Sequence, residues 1–158
     1  MEMTWEDLGL VPARMSLAAT LLKHGLPKIR TEGNAQAGAF FEQLGLRPGA
    51  RWAWLAGAAE VAAGVSLVLG IGTRLGALAV LGTQAVAVSK VHWSKGFDNL
   101  AGGWEFNALI MATALGVLLA GPGTISVHEA LEHRVEGGAR WLFQPRRRAA
   151  LTFTKLLK

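Results

Sequence analysis

Charge is missing from long runs of this chain, and that pattern limits its fold more than any other feature. In chain order, Leu8–Leu22 is 15 residues with one charge, Arg14. Trp52–Ile71 is 20 residues with only Glu60, Leu75–Ser89 is 15 with none, and Phe106–Val127 is 22 with none. A helix that crosses the hydrocarbon core of a bilayer needs about 20 mostly apolar residues. The second and fourth runs reach that length directly. The first and third reach it if Lys23, Lys28, Lys90 and His92 snorkel toward the interface at their ends. The alternative is a set of soluble core helices. Charged residues make up only 17% of the chain, against about 25% in an ordinary soluble domain. That leaves too little polar surface to wrap four apolar segments in water.

The expected fold is therefore all-α, a transmembrane four-helix bundle in residues 1–127. Its helices run over about 8–29, 51–69, 75–93 and 104–120. Residues 30–50 read as a Gly-containing loop, in which Phe40-Phe41 lie on the membrane surface or start a short helix. Gly70-Ile71-Gly72 reads as a tight turn, residues 94–103 as a polar loop, and Gly121-Pro122-Gly123 as the stop after helix 4. The opening Met-Glu-Met-Thr-Trp-Glu-Asp is acidic where a secretory leader is basic, so helix 1 is expected to be its own anchor. Residues 128–158 form a tail.

The net charge of +5 belongs to that tail. Residues 1–127 carry 9 Lys/Arg against 8 Asp/Glu, whereas 128–158 carry 7 against 3. The body has no basic stripe interleaved with aromatics, so nucleic acid is not an expected partner. Arg146, Arg147 and Arg148, followed by Phe153, Lys155, Leu156, Leu157 and Lys158, make a basic amphipathic pattern suited to an anionic lipid surface. This pattern favours cytoplasmic termini. The loop count does so only weakly, with 9 basic residues on the terminal side and 7 on the other. Cysteine is absent, which excludes disulfides, Cys-ligated zinc, iron–sulfur clusters and c-type haem attachment.

Tryptophan supports the layout. Trp52 and Trp54 start helix 2, Trp93 ends helix 3 and Trp104 starts helix 4, so alternating helices put all four on one face, where indoles favour the membrane interface. Ala53, Gly57 and Gly64 in helix 2, and Ala112, Gly116 and Ala120 in helix 4, have the small-residue spacing that lets helices approach closely in lipid.

Few residues could carry chemistry. Glu60 near the middle of helix 2 costs at least about 2.5–3.5 kcal/mol on insertion scales and lies between Gly57 and Gly64, so it should point into the bundle. Depths counted at about 1.5 Å per residue suggest that Arg14 pairs with it, either as a proton or quinone-headgroup site or as a structural lock between helices 1 and 2. A second group lies toward the opposite end: Lys23, His24, Lys28, Lys90, His92 and Glu105, near the Trp belt. A quinone headgroup suits His or carboxylate partners with aromatics beside them; the plain alternative is interfacial anchors. Two shallow histidines are a poor haem site. His128-Glu129-Ala130-Leu131-Glu132-His133 has one residue too many for a zinc-binding HExxH, so no metal site is expected.

In order and spacing the chain resembles the DoxX family of small four-helix membrane proteins. The matching stretches are Arg14, His24-Gly25-Leu26-Pro27-Lys28, Phe41 with Leu44-Gly45, Glu60 with Gly64, and Leu69-Gly70-Ile71-Gly72-Thr73-Arg74. They continue with His92, Gly96-Phe97, Gly102-Gly103-Trp104-Glu105 and Gly121-Pro122-Gly123. The resemblance covers about residues 11–127 and leaves the tail aside. It implies a multi-pass protein of a prokaryotic plasma membrane and a place in a quinone-linked redox complex. There the chain would be an accessory subunit of an oxidoreductase with no covalently bound cofactor, contacting quinone, other subunits or a second copy of itself. The competing readings are a non-catalytic structural or assembly protein and a small-solute or proton carrier using Glu60. The carrier is disfavoured because no inverted repeat and no mid-membrane proline break are visible.

Overall fold

The computed structural model describes residues 5–132. Six α-helices follow one another: α1 Trp5–Ile29, α2 Thr31–Gln43, α3 Gly49–Leu69, α4 Thr73–Ala87, α5 Glu105–Ala120 and α6 Val127–Glu132. Four of them, α1, α3, α4 and α5, form the expected antiparallel bundle. The basic tail motif of Arg146–Arg148, Lys155 and Lys158 lies outside the described residues.

Local chemistry sets the boundaries. Pro48 precedes α3 in extended backbone, where a missing N–H costs nothing. α3 stops at Gly70, whose φ of +68° is a left-handed conformation that glycine adopts without a Cβ penalty. Gly72, with φ +60°, then starts α4. A two-glycine turn thus reverses the chain, as the sequence suggests. α5 stops at Gly121, which is followed by Pro122. α4 does not end at Ala87 but widens into a π turn over Val88–His92 and closes as a 3₁₀ turn over Trp93–Lys95. π turns are rare and recur at functional positions. The segment expected to be a plain loop, residues 30–50, contains α2, one full amphipathic helix longer than the Phe40-Phe41 start anticipated. It seats itself through glycine: a Cβ at Gly38 would stand 2.9 Å from the Ala50 backbone. Asn34 also donates to the carbonyls of Lys28 and Ala50.

The core is a narrow seam. Leu17, Ala18 and Leu21 of α1 meet Ala63 and Leu67 of α3, Ala77 and Val80 of α4, and Ile110, Ala114 and Val117 of α5. Outside it, large apolar side chains face outward, among them Leu75 at 73% exposure and Leu119 at 72%. Gly49–Leu69 and Thr73–Lys95 are long and apolar enough to cross a membrane, yet only 33% and 17% of their apolar windows are buried inside the protein. The core helices of a soluble domain would be mostly covered. Here the uncovered surface is where lipid belongs. α5 is apolar but shorter, Glu105–Ala120, because Gly121-Pro122-Gly123 cuts the 22-residue uncharged run.

Two small-residue expectations separate. Ala53, Gly57 and Gly64 of α3 are buried, and Gly57 and Gly64 lie against α1. Ala112, Gly116 and Ala120 of α5 are exposed. The inward face of α5 is Asn107, Ile110, Ala114 and Val117 instead, about half a turn away.

Candidate functional site

The six candidate residues occupy four places in the bundle. Arg14 is almost fully buried, at 2% exposure. It does not pair with Glu60. Its Nε donates to the Leu67 carbonyl at 2.9 Å and its Nη2 to that of Val68 at 3.1 Å, both in the last turn of α3. Its Nη1 donates to the carbonyls of Pro122 at 2.6 Å and Ile125 at 2.9 Å. The last carbonyls of a helix have no partner within the helix and carry its negative dipole end. Arg14 therefore closes the end of α3 and ties the segment after α5 to it, and the planar five-donor guanidinium suits that multi-carbonyl role.

Glu60 pairs with Lys28. The Lys28 ammonium lies 2.6 Å from one carboxylate oxygen and 2.7 Å from the other. The expected partner was wrong because residues 14 and 60 are not level where α1 and α3 cross. A Cβ at Gly25 would stand 2.8 Å from Glu60 Cβ and 2.9 Å from the Gly57 carbonyl, while Gly70 lies beside the Arg14 guanidinium. Glu60 therefore lies level with Gly25, 11 residues or roughly 16 Å along α1 from Arg14, within reach of Lys28. Counting residues from helix ends missed this because α1 ends level with Gly57, well inside the start of α3, with α2 filling the space above. The pair is a lock between helices, with side-chain exposures of 21% and 9%.

His24 is exposed on α1 and joins neither group. His92 and Glu105 share the corner between α4 and α5. The His92 ring Nδ1 is 2.7 Å from the Gly102 carbonyl. A carbonyl only accepts, so Nδ1 carries the proton in this contact and Nε2 is the acceptor in the neutral ring. The corner is aromatic. Trp93 stacks on Trp104 with centroids 6.1 Å apart, and Phe97 meets Trp104 edge-on at 4.8 Å. Trp52, Trp54 and Trp93 are exposed, and with Trp104 they stand at the same end of the bundle, as a one-sided belt requires. Deeper between α4 and α5, Asn107 donates to Gln84 at 2.7 Å. Neither residue is evident as a pair in the sequence; the signal is one amide on each of two apolar helices.

Against this corner lies a cavity of about 530 Å³ lined by Phe97, Asn99, Glu105, Phe106, Ala108, Leu109 and Ala112. Its floor is the outward face of α5 and its roof the 97–99 loop, so it opens toward lipid. Glu105 is its only charged group. One carboxylate oxygen accepts from the Asn99 backbone N–H at 3.1 Å; the other, Oε1, takes no hydrogen bond from the described residues. No group of three or more His, Asp or Glu among the described residues could hold a metal ion.

The DoxX family model matches residues 9–93, just over half of the chain and all of α1 to α4 except the first turn of α1. Glu105 and the cavity lie beyond the matched stretch. No curated protein and no solved structure gives a match. The match covers the Arg14 cap, the Lys28–Glu60 lock and both membrane-length helices, and the chain belongs to the DoxX family of integral membrane proteins.

Proposed function

We propose that this protein is a membrane subunit of a quinone-linked redox complex in a prokaryotic plasma membrane, and that it contacts the quinone in the α5 groove. The observation that carries this reading is the cavity at Glu105. Its volume falls within the range of about 300–1,000 Å³ usual for small-molecule sites. It joins one hydrogen-bonding carboxylate to two phenyl rings, Phe97 and Phe106, at the level of the Trp belt. A quinone supplies carriage of two electrons and two protons between a partner's redox centre and the lipid phase. This chain's residues bind and orient. Glu105 Oε1 meets the headgroup or holds a proton there, Phe97 and Phe106 flank the ring, and His92 steadies the loop through Gly102. Arg14 and the Lys28–Glu60 pair lie elsewhere and hold the bundle together. The basic sequence pattern of the tail supports termini at the anionic cytoplasmic leaflet.

Purification from native membranes in mild detergent, read by mass spectrometry, tests the reading. The expected result is a co-purifying redox enzyme with quinone near one per chain, and loss of most of that quinone in Glu105→Gln. A lone protein carrying only phospholipid overturns it and favours a structural or assembly role.

A further inference from the structure

The outer face of α1 is unlike that of the other spanning helices. α3, α4 and α5 turn large apolar side chains outward, such as Leu55 and Val65, Leu75 and Leu78, and Leu109 and Leu119. Between Gly9 and Gly25, α1 exposes none. Pro12, Ser16, Ala19 and Lys23 are exposed there instead, and their spacing of four, three and four residues sets them on one line. α1 is the longest helix, with 25 residues, yet it is not among the helices apolar enough to cross a membrane by composition. Small and hydroxyl-bearing residues on a helix in lipid mark the close approach of another helix.

Lys23 adds two demands that lipid does not meet. Its depth follows from the α1–α3 crossing. A Cβ on Gly64 would face Leu22, and one on Gly25 would face Glu60 and Val61, so Lys23 is level with the stretch of α3 between Glu60 and Gly64. That is about 12 Å from Trp54 on one side and about 12 Å from Gly70 on the other. The residue lies well below the Trp belt, and the stem of a lysine covers about half that distance. The side chain is nevertheless exposed, and no ion pair holds it among the described residues. Ionisable groups at such depth are paired or face an interior. The backbone of the same residue also lacks its usual donor. Pro27 lies inside α1 and has no N–H to give the Lys23 carbonyl four residues earlier. In hydrocarbon such a carbonyl is satisfied by a neighbouring helix, a hydroxyl or a water.

We infer that the outer face of α1 docks a transmembrane helix of a different protein, one that carries a carboxylate level with Lys23. A second copy of this chain does not meet the demand. A twofold α1–α1 contact sets ammonium against ammonium in a medium of low dielectric. A copy turned another way has no carboxylate to offer at that depth among the described residues. Glu60 lies within the span, but both of its oxygens are held by Lys28, and the remaining acids lie at the two ends of the bundle. The inference shares with the reading above only the existence of a membrane partner; it needs no quinone.

The test is photocrosslinking of the full chain in its native membranes, with benzoylphenylalanine in place of Ala19 on α1 or of Leu78 on α4. Adducts are digested and sequenced by mass spectrometry. The Ala19 position should give one discrete protein adduct, mapped to a transmembrane segment with an Asp or Glu within one helical turn of the attachment point. The Leu78 position should give lipid adducts only. Lys23→Ala should lower the Ala19 adduct roughly three- to tenfold, the scale of one polar contact between helices in lipid. Lys23→Arg should keep it, and Lys23→Glu should restore it when the partner's acid is exchanged for Lys. Thermal midpoints of the purified variants should equal that of the wild type, which separates loss of docking from misfolding. Lipid adducts at Ala19 like those at Leu78 overturn the inference, and so does an adduct with a second copy of this chain. An adduct that Lys23→Ala does not weaken, or whose segment carries no acid, overturns the carboxylate assignment. A crosslinked partner without a redox centre upholds this inference and removes the quinone-complex reading. A co-purifying redox enzyme with only lipid at Ala19 does the reverse.

Discussion

Arg14 and Lys28 lie on the same stripe of α1, and each is satisfied by different chemistry. Arg14 spreads its charge over four backbone carbonyls, whereas Lys28 meets a single carboxylate through both of its oxygens. Substitutions should therefore differ in kind. Arg14→Met leaves four carbonyls without their donor and should cost about 2–4 kcal/mol, with Arg14→Lys recovering only part, since an ammonium cannot span two segments. Lys28→Met strands the Glu60 carboxylate and should cost about 3 kcal/mol or more, while Lys28→Met/Glu60→Met should recover most of that loss. Thermal unfolding of detergent-purified variants, arranged as a double-mutant cycle, separates these cases. If the double variant loses as much stability as Lys28→Met and Glu60→Met added together, the two residues are not coupled. Both cations are evident in the sequence as exceptions in apolar runs. Their partners are not, because a backbone carbonyl has no sequence signature and the α1–α3 register depends on where α2 lifts the chain.

Glycine has opposite meanings on different helices. At the α1–α3 crossing, Gly25 and Gly57 let two backbones approach: a Cβ on Gly57 would stand 2.6 Å from Lys28 Cβ and 2.9 Å from the Gly25 carbonyl. On α5, Gly116 faces open space. Gly25→Ala and Gly57→Ala should each destabilise by about 1–3 kcal/mol through overpacking. Gly116→Ala should be neutral or stabilising by up to about 1 kcal/mol, the ordinary helix-propensity gain. Thermal midpoints by fluorescence-detected size exclusion decide between them; a loss at Gly116 equal to that at Gly25 would mean that α5 packs against something through that face. This contrast marks how far pattern reaches. The spacing of small residues on α3 and α5 is equally suggestive in the sequence, and helix periodicity alone does not say which face turns inward. That is decided by the one amide on each of α4 and α5, Gln84 and Asn107, whose hydrogen bond goes with Asn107 inside and Ala112 outside. The helices, their turns and the Trp belt were legible because charge-free length, Gly-Pro stops and indoles act locally. The π turn, α2 and the cavity were not, since each arises from how two elements meet.

At the scale of the whole molecule, the bundle has two ends of different character. One end carries α2, the Trp belt and the 96–104 loop, whose Leu100 is 96% exposed. The other carries the glycine turn at 70–72, the 121–126 segment and α6. The chain has no cysteine, so single-cysteine variants report sidedness without background. Gln43→Cys and Leu100→Cys should react with an impermeant maleimide from one side of the membrane, and Val127→Cys only from the other. With cytoplasmic termini, the first two react in intact cells and the third only after lysis. Labelling of Leu100→Cys and Val127→Cys from the same side would be incompatible with a spanning bundle. The Arg14 contacts also have a temporal meaning. Two of its four acceptors, Pro122 and Ile125, lie 108 and 111 residues further along the chain, and a ribosome makes them long after α1 has emerged. While the protein is being made, the first helix holds a cation with half of its acceptors not yet in existence. Its final settling in the membrane therefore waits for the last spanning helix, and assembly of the bundle closes from the end of the chain back to its beginning.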